Sequence, residues 1–320
     1  MDGNITFQKV VRWTDEECRE YLERMRWPDG PHCPKCGAEE PWKIERRTPS
    51  KNAVRTLYRC RGCKRQFTAT VGTIFEDSKI PLSKWFAAIY LMCASKKGIS
   101  AHQLHRQLDI TYKSAWFMCH RVRCAMGDKD PAPLTGVIEA DETYVGGKPR
   151  GHPTHRSRDL TMSERIRAAW QKKTPVLGIL ERGGRVRTLV MRPITKKGTQ
   201  ATLRQNLDLE SSCLITDESP LYTGINRDLP HAQVQHDQYY VLGAIHTQGI
   251  ENYWSLLKRG IIGVFHHVSV GHLPQYLGEF EFRFNRRRIA DEERFAALMG
   301  QTRGRLLWYC QTPQPENPFA

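Results

Sequence analysis

Val137-Ile138-Glu139-Ala140-Asp141-Glu142-Thr143-Tyr144-Val145 reads as a strand that carries three acids. Its other residues are mostly β-branched or aromatic, and Gly146-Gly147 ends the run. Strand side chains alternate, so Asp141 shares a face with Glu139 and Thr143, while Glu142 points the other way. A carboxylate in the middle of an apolar strand is costly unless it binds something. Asp141 is therefore the first candidate site residue, and whether Glu139 or Glu142 assists it stays open.

Two further strands follow, Val176 to Leu180 and Val186 to Met191, joined at the hairpin signal Gly183-Gly184. A polar helix near Gln200 to Leu209 leads to a short apolar strand, Cys213 to Thr216. Ser219-Pro220 opens a short helix, with Ser as N-cap and Pro at the first helical position. A strand near Ala232 to Val234 and two helices from Ile250 to about Asn285 follow. A hairpin followed by alternating helices and strands predicts a mixed α/β sheet. Residues 148–174 interrupt it as a basic insertion, with one helix expected around Ser163 to Gln171.

Two more acids sit where such a sheet binds ligands. Asp217 closes the strand Cys213 to Thr216, and ligands gather beyond the carboxyl ends of strands. Glu251 opens a helix whose buried stripe is Ile250, Trp254, Leu257 and Ile261. Glu251 and Lys258 lie along the edge of that stripe, roughly 10 Å apart, so each is free for a ligand. Asp141, Asp217 and Glu251, coming from separate elements, can hold two magnesium or manganese ions. Lys258, with Arg259 beside it, suits a DNA phosphate.

The N-terminal part carries a different metal pattern. Cys33-Pro34-Lys35-Cys36 and Cys60-Arg61-Gly62-Cys63 are two matched Cys-x-x-Cys pairs. Four thiolates make the closed tetrahedral set of a structural zinc ion. Lys35, Arg59, Arg61, Lys64 and Arg65 surround this ribbon as expected DNA contacts. Before it, Trp13-Thr14 with Glu17 three residues after the Thr forms a capping-box signal for a helix. After it, Ser100 and Thr111 cap two helices, Ile99 to Leu108 and Tyr112 onward, in a helix-turn-helix pattern. Lys113, Arg121 and Arg123 on the second helix are expected to meet DNA.

Charge agrees with these motifs. Lys and Arg number 49 against 34 Asp and Glu, a net charge of +15 spread along the whole chain. That surplus favours a polyanion, and nucleic acid first. The longest apolar run, Trp85 to Ala94, is too short for a membrane span, and Met1 to Cys18 has no signal-peptide core. A cytoplasmic protein with reduced cysteines is expected.

Taken together, the ribbon, the phrase Glu139 to Gly147, Thr216-Asp217-Glu218-Ser219 and the stretch His246 to Gly260 resemble one group of proteins. These are the bacterial insertion-sequence transposases that join an N-terminal zinc ribbon to an RNase H-like DDE catalytic domain, the ISXO-like group. The resemblance covers about Trp13 to Arg287 and includes Tyr276 to Arg286. It implies that Asp141 and Asp217 are the first two catalytic aspartates, with Glu251 third and Lys258 the basic residue two turns later. His246 matches without an assigned role. The implied activity is recognition of terminal inverted repeats in double-stranded DNA, cleavage to free a 3′-hydroxyl, and joining to target DNA. The implied working form is a homodimer or larger assembly on DNA, associated with the nucleoid.

The expected domains are 1–75 (helix and zinc ribbon), 76–130 (helix-turn-helix), 131–290 (RNase H-like catalytic domain) and 291–320 (a tail). Two other readings stand beside this one. A DNA-binding protein with a vestigial catalytic domain is opposed by the intact acids. An RNase H-like structure-specific nuclease is opposed by the ribbon and helix-turn-helix.

Overall fold

The structure, a computed structural model, describes residues 5–48, 53–128, 131–146, 161, 173–234 and 246–304. These fall into two compact units, residues 1–127 with 286–312 and residues 128–285 with 313–320. The basic insertion and its expected helix lie outside the described residues, apart from Thr161, Lys173 and Thr174.

The first unit opens with a short helix, α1 (Phe7–Val10), and a longer one, α2 (Asp15–Arg26). Thr14 caps α2 through the Glu17 amide while the Glu17 carboxylate accepts from the Thr14 amide at 2.7 Å, the reciprocal pair read from the sequence. A small antiparallel sheet follows: β1 (Trp42–Thr48), β2 (Ala53–Arg59) and β3 (Gln66–Phe67). Trp27, Tyr58 and Phe67 pack ring against ring beside it, with centroids 5.4–6.0 Å apart. These three rings and the cysteine cluster give this small sheet its packing.

Three helices complete the run: α3 (Leu82–Ala94), α4 (Ala101–Leu108) and α5 (Tyr112–Met126). Ser100 and Thr111 cap α4 and α5 by accepting from the amides of Gln103 and Ser114. Asp109 ends α4 in the left-handed region, φ +47°. Lys113 is exposed at the start of α5. Arg121 and Arg123 require a correction, because both are buried, at 4% and 2% exposure. Arg121 turns inward and donates to the carbonyls of Ile74 at 2.8 Å and Glu76 at 2.6 Å. Those carbonyls lie in a segment without regular structure and need donors, which a long guanidinium supplies.

The second unit is built on a five-stranded mixed sheet in the order β6-β5-β4-β7-β8. Its strands are β4 (Leu134–Val145), β5 (Thr174–Glu181), β6 (Val186–Val190), β7 (Leu207–Thr216) and β8 (His231–Gln233). β5 runs antiparallel to both β4 and β6, whereas β4 and β7, and β7 and β8, run parallel. This is the mixed α/β sheet expected of an RNase H-like domain. β7 starts at Leu207, earlier than the sequence suggested, because Leu207 is buried in the core and ends the helix before it.

One face of the sheet is covered by α6 (Lys196–Asn206) and by 3-10 turns at Pro220–Tyr222 and Ile225–Arg227. The other face is covered by α7 (Gln248–Gly260) and α8 (Leu273–Asn285). α8 also closes the open edge of the sheet. The Asn285 amide bridges the Val186 backbone at 2.8 and 3.0 Å, and Glu281 accepts from the Thr188 amide at 2.6 Å. Edge-strand groups that would otherwise seek another chain are thereby satisfied.

The chain then returns to the first unit. Helix α9 (Asp291–Gly300) buries Phe295 completely against the rings of Tyr21, Phe86 and Tyr90, at 5.7–5.9 Å. Arg294 donates to the Cys93 carbonyl at 3.2 Å, and Glu292 accepts from the Ile5 amide at 2.6 Å. Nothing in the sequence around Asp291 pointed to this partner. Among the described residues no helix is long and apolar enough to cross a membrane.

Candidate active site

The site forms where β4 outruns its neighbour. The last residue of β4 paired with β7 is Glu139, opposite Ile215, yet β4 continues beside β5 as far as Val145. Asp141 and Glu142 therefore sit on a stretch of β4 flanked by β5 alone, level with the carboxyl end of β7, where Asp217 follows. Strand alternation sends the two side chains to opposite faces. With β7 ended, both still reach the open edge, and the carboxylate oxygens of Asp141, Glu142 and Asp217 lie within 4.8 Å of one another.

Burial and crowding work against the ionisation of Asp141 and Glu142. Burial, then the charges of Asp217 and Glu251, push Asp141 up to about 6, partly offset by hydrogen bonds from the Glu142 amide and Trp254. Burial, with Asp217 and Asp141 adding to it, pushes Glu142 up to about 7. One Glu142 oxygen is buried facing the Tyr222 hydroxyl, which partly offsets that rise. A divalent cation fits this set of hard oxygen donors and excess negative charge.

Asp141 is aimed by its surroundings. The Trp254 indole donates to Asp141 Oδ2 at 3.0 Å, and the Glu142 amide donates to Oδ1 at 2.8 Å. Trp254 can approach because Gly178, the β5 partner of Asp141, has no side chain. A Cβ there would lie 2.4 Å from the indole. Asp217 is held by the Ser219 amide at 3.0 Å.

Helix α7 is fixed from β4 as well. Glu139 is fully buried, accepts from the Ile250 amide at 3.0 Å and pairs with Arg182 at 2.9 Å. Arg182 also donates to the His246 carbonyl at 2.9 Å, so His246 belongs to the anchor at the start of α7. Glu139 thus ties the helix to the sheet and lies outside the acid cluster. Glu251, on the first turn of α7, is exposed and accepts from Thr247 at 2.8 Å. It too lies outside the set of Asp141, Glu142 and Asp217, although its charge reaches Asp141. Lys258 and Arg259 are exposed on the last turn.

In the first unit Cys33, Cys36, Cys60 and Cys63 gather with all sulfurs within 4.8 Å. The Ala38 backbone holds the Cys36 thiol below its ordinary range. The Cys63 amide points at Cys60 Sγ at 3.3 Å. Amides aimed at sulfurs favour thiolates, and four thiolates with no open position fit a structural zinc ion.

Comparison with known families matches both parts. Residues 133–285 match the ISXO2-like transposase domain, and residues 13–66 match the transposase zinc-ribbon domain. In these two segments the chain is similar to an ISXO2-like transposase domain and to a transposase zinc ribbon. It is also 29% identical over 277 residues to a protein in transposable element ISH50 of Halobacterium salinarum, covering 84% of this chain and 90% of that one. The ISXO2-like match contains every acid described above, and the zinc-ribbon match contains all four cysteines. Sequence reasoning left Glu142 open and missed Gly178 and Tyr222. A lone glycine inside the apolar run Val176 to Leu180 was the available signal for a close approach.

Proposed function

We propose that this protein is a DNA transposase that binds the inverted terminal repeats of an insertion sequence, cleaves a strand at each end and joins the ends to target DNA. The observation that supports this most is the convergence of Asp141, Glu142 and Asp217 at the carboxyl end of parallel strands. In this reading Asp141 and Asp217 would hold two divalent cations, with Glu142 from the sheet and Glu251 from α7 completing the set, and magnesium or manganese held there would supply Lewis-acid activation of the attacking water or 3′-hydroxyl and of the leaving oxygen.

The chain's own residues do the rest. Trp254 keeps Asp141 in one rotamer, and Glu139 with Arg182 keeps α7 in register with β4. Lys258 and Arg259 neutralise phosphates beside the scissile bond. The zinc ribbon, and the helix-turn-helix through Lys113, hold the duplex. Strand transfer needs two ends together, so a homodimer or larger assembly is the working form.

The test is strand cleavage with magnesium on DNA carrying the gene's own flanks, comparing the intact protein with Asp217→Ala. Nicks at mirrored positions on the two flanks, lost in the variant, are expected. Flank binding with no cleavage by either protein would overturn the catalytic part.

A further inference from the structure

We propose that the zinc ribbon carries a phosphate clamp for duplex DNA, in which Trp42 is the hub that holds Arg59, Arg61 and Lys64 together. This rests on the reading of the protein as a DNA transposase and names the groups by which its ribbon grips the backbone.

Trp42 is 44% exposed, unusual for an indole on so small a module. Three cations surround its ring: Lys64 at 5.0 Å from the centroid, Arg61 at 5.8 Å and Arg59 at 6.0 Å. They come from separate places. Arg59 is the cross-strand partner of Trp42, Arg61 lies inside the second cysteine knuckle, and Lys64 follows that knuckle.

The backbone at Lys64 is an independent observation. After the first knuckle, Cys33 to Cys36, the chain turns through the left-handed region at Gly37, φ +75°. After the second, Cys60 to Cys63, the same turn falls on Lys64, φ +61°. Glycine adopts that conformation without strain and lysine does not. The lysine that takes this turn lays its side chain over Trp42.

Three positive charges around one ring repel each other. The nearby acid is Glu40, 3.9 Å from Arg61 with its side chain 83% exposed, which leaves the cluster with a surplus. The indole attracts cations through its face and leaves their N–H groups available to oxygen acceptors. An anion with several oxygens relieves the repulsion and uses those donors. Phosphates of a DNA backbone present such anions in series.

The experiment uses the full zinc-loaded chain and a duplex carrying the gene's flank, with the dissociation constant measured across a salt series. Trp42→Ala is expected to weaken binding about tenfold and to flatten the salt dependence by about one ion, while Trp42→Phe keeps most of the affinity. Lys64→Gly is the decisive variant, because it relieves the strained turn. Zinc content and thermal stability are expected to hold or rise while affinity and salt slope fall. Unchanged affinity and slope in both Lys64→Gly and Trp42→Ala would overturn the clamp. So would a loss in Trp42→Ala that leaves the salt slope intact and appears only with unpaired bases, which would mark a stacking platform. If the unaltered protein binds no duplex, the transposase reading falls as well, so the two failures are distinguishable.

Discussion

Gly178 has room for a hydrogen and nothing larger. An added Cβ would meet Trp254 at 2.4 Å and Ile250 at 2.8 Å, both rigidly seated against the sheet. Gly178→Ala is expected to cost about 1–3 kcal/mol in urea denaturation, from overpacking. It should reduce cleavage further than the stability loss accounts for, because the displaced indole releases Asp141. The acids themselves predict a pH effect. Asp141 at about 6 and Glu142 at about 7 stand above their ordinary 3.8 and 4.5. Their folded forms hold protons that the unfolded chain has lost, so the pair's contribution to stability falls as pH rises from about 4 to about 7. Cation binding needs the ionised forms and should strengthen over the same range. Differential scanning fluorimetry with and without magnesium checks both signs. The pair of substitutions Asp141→Asn and Glu142→Gln should flatten the pH dependence and abolish the magnesium response.

At the scale of elements, the contact between β4 and α7 organises the second unit. Glu139 is one bond between them, beside that from Trp254 to Asp141, and its partner Arg182 is only partly buried. Glu139→Ala is expected to destabilise by about 1–3 kcal/mol, chiefly by leaving the Ile250 amide without an acceptor, and Glu139→Gln by less, since the glutamine oxygen still accepts from that amide. Chemical denaturation separates the two. What the sequence disclosed and withheld follows the same lines. Local rules found the strand around Asp141 and the caps at Thr14, Ser100 and Thr111, because capping and alternation depend on neighbours in the chain. They failed for Arg121 and Arg123, since a basic residue on a helix does not reveal whether its guanidinium goes out to solvent or in to a bare carbonyl. They left Glu142 open. Its face pointed away from that of Asp141, and only the length of β7, set by pairing far along the chain, brings the two together.

At the scale of the whole molecule, the two metal sites suit different duties. Chelating the zinc should unfold the ribbon, whose sheet is too small to stand on its three rings alone. Duplex binding should be lost with it, while the unfolding transition of the sheet around β4 survives. Far-UV circular dichroism through a chelator titration, followed by a thermal scan, tests this. The return of α9 to the first unit carries a separate consequence. Among the described residues the chain crosses between the units near residues 127 and 285, so there the second unit is inserted in the first. On the ribosome, the first unit begins folding earliest and finishes last. Phe86, Tyr90 and Tyr21 wait for Phe295 until the entire second unit has been made. A nascent chain cut short anywhere within that unit keeps those rings without Phe295, which marks incomplete protein for aggregation or degradation.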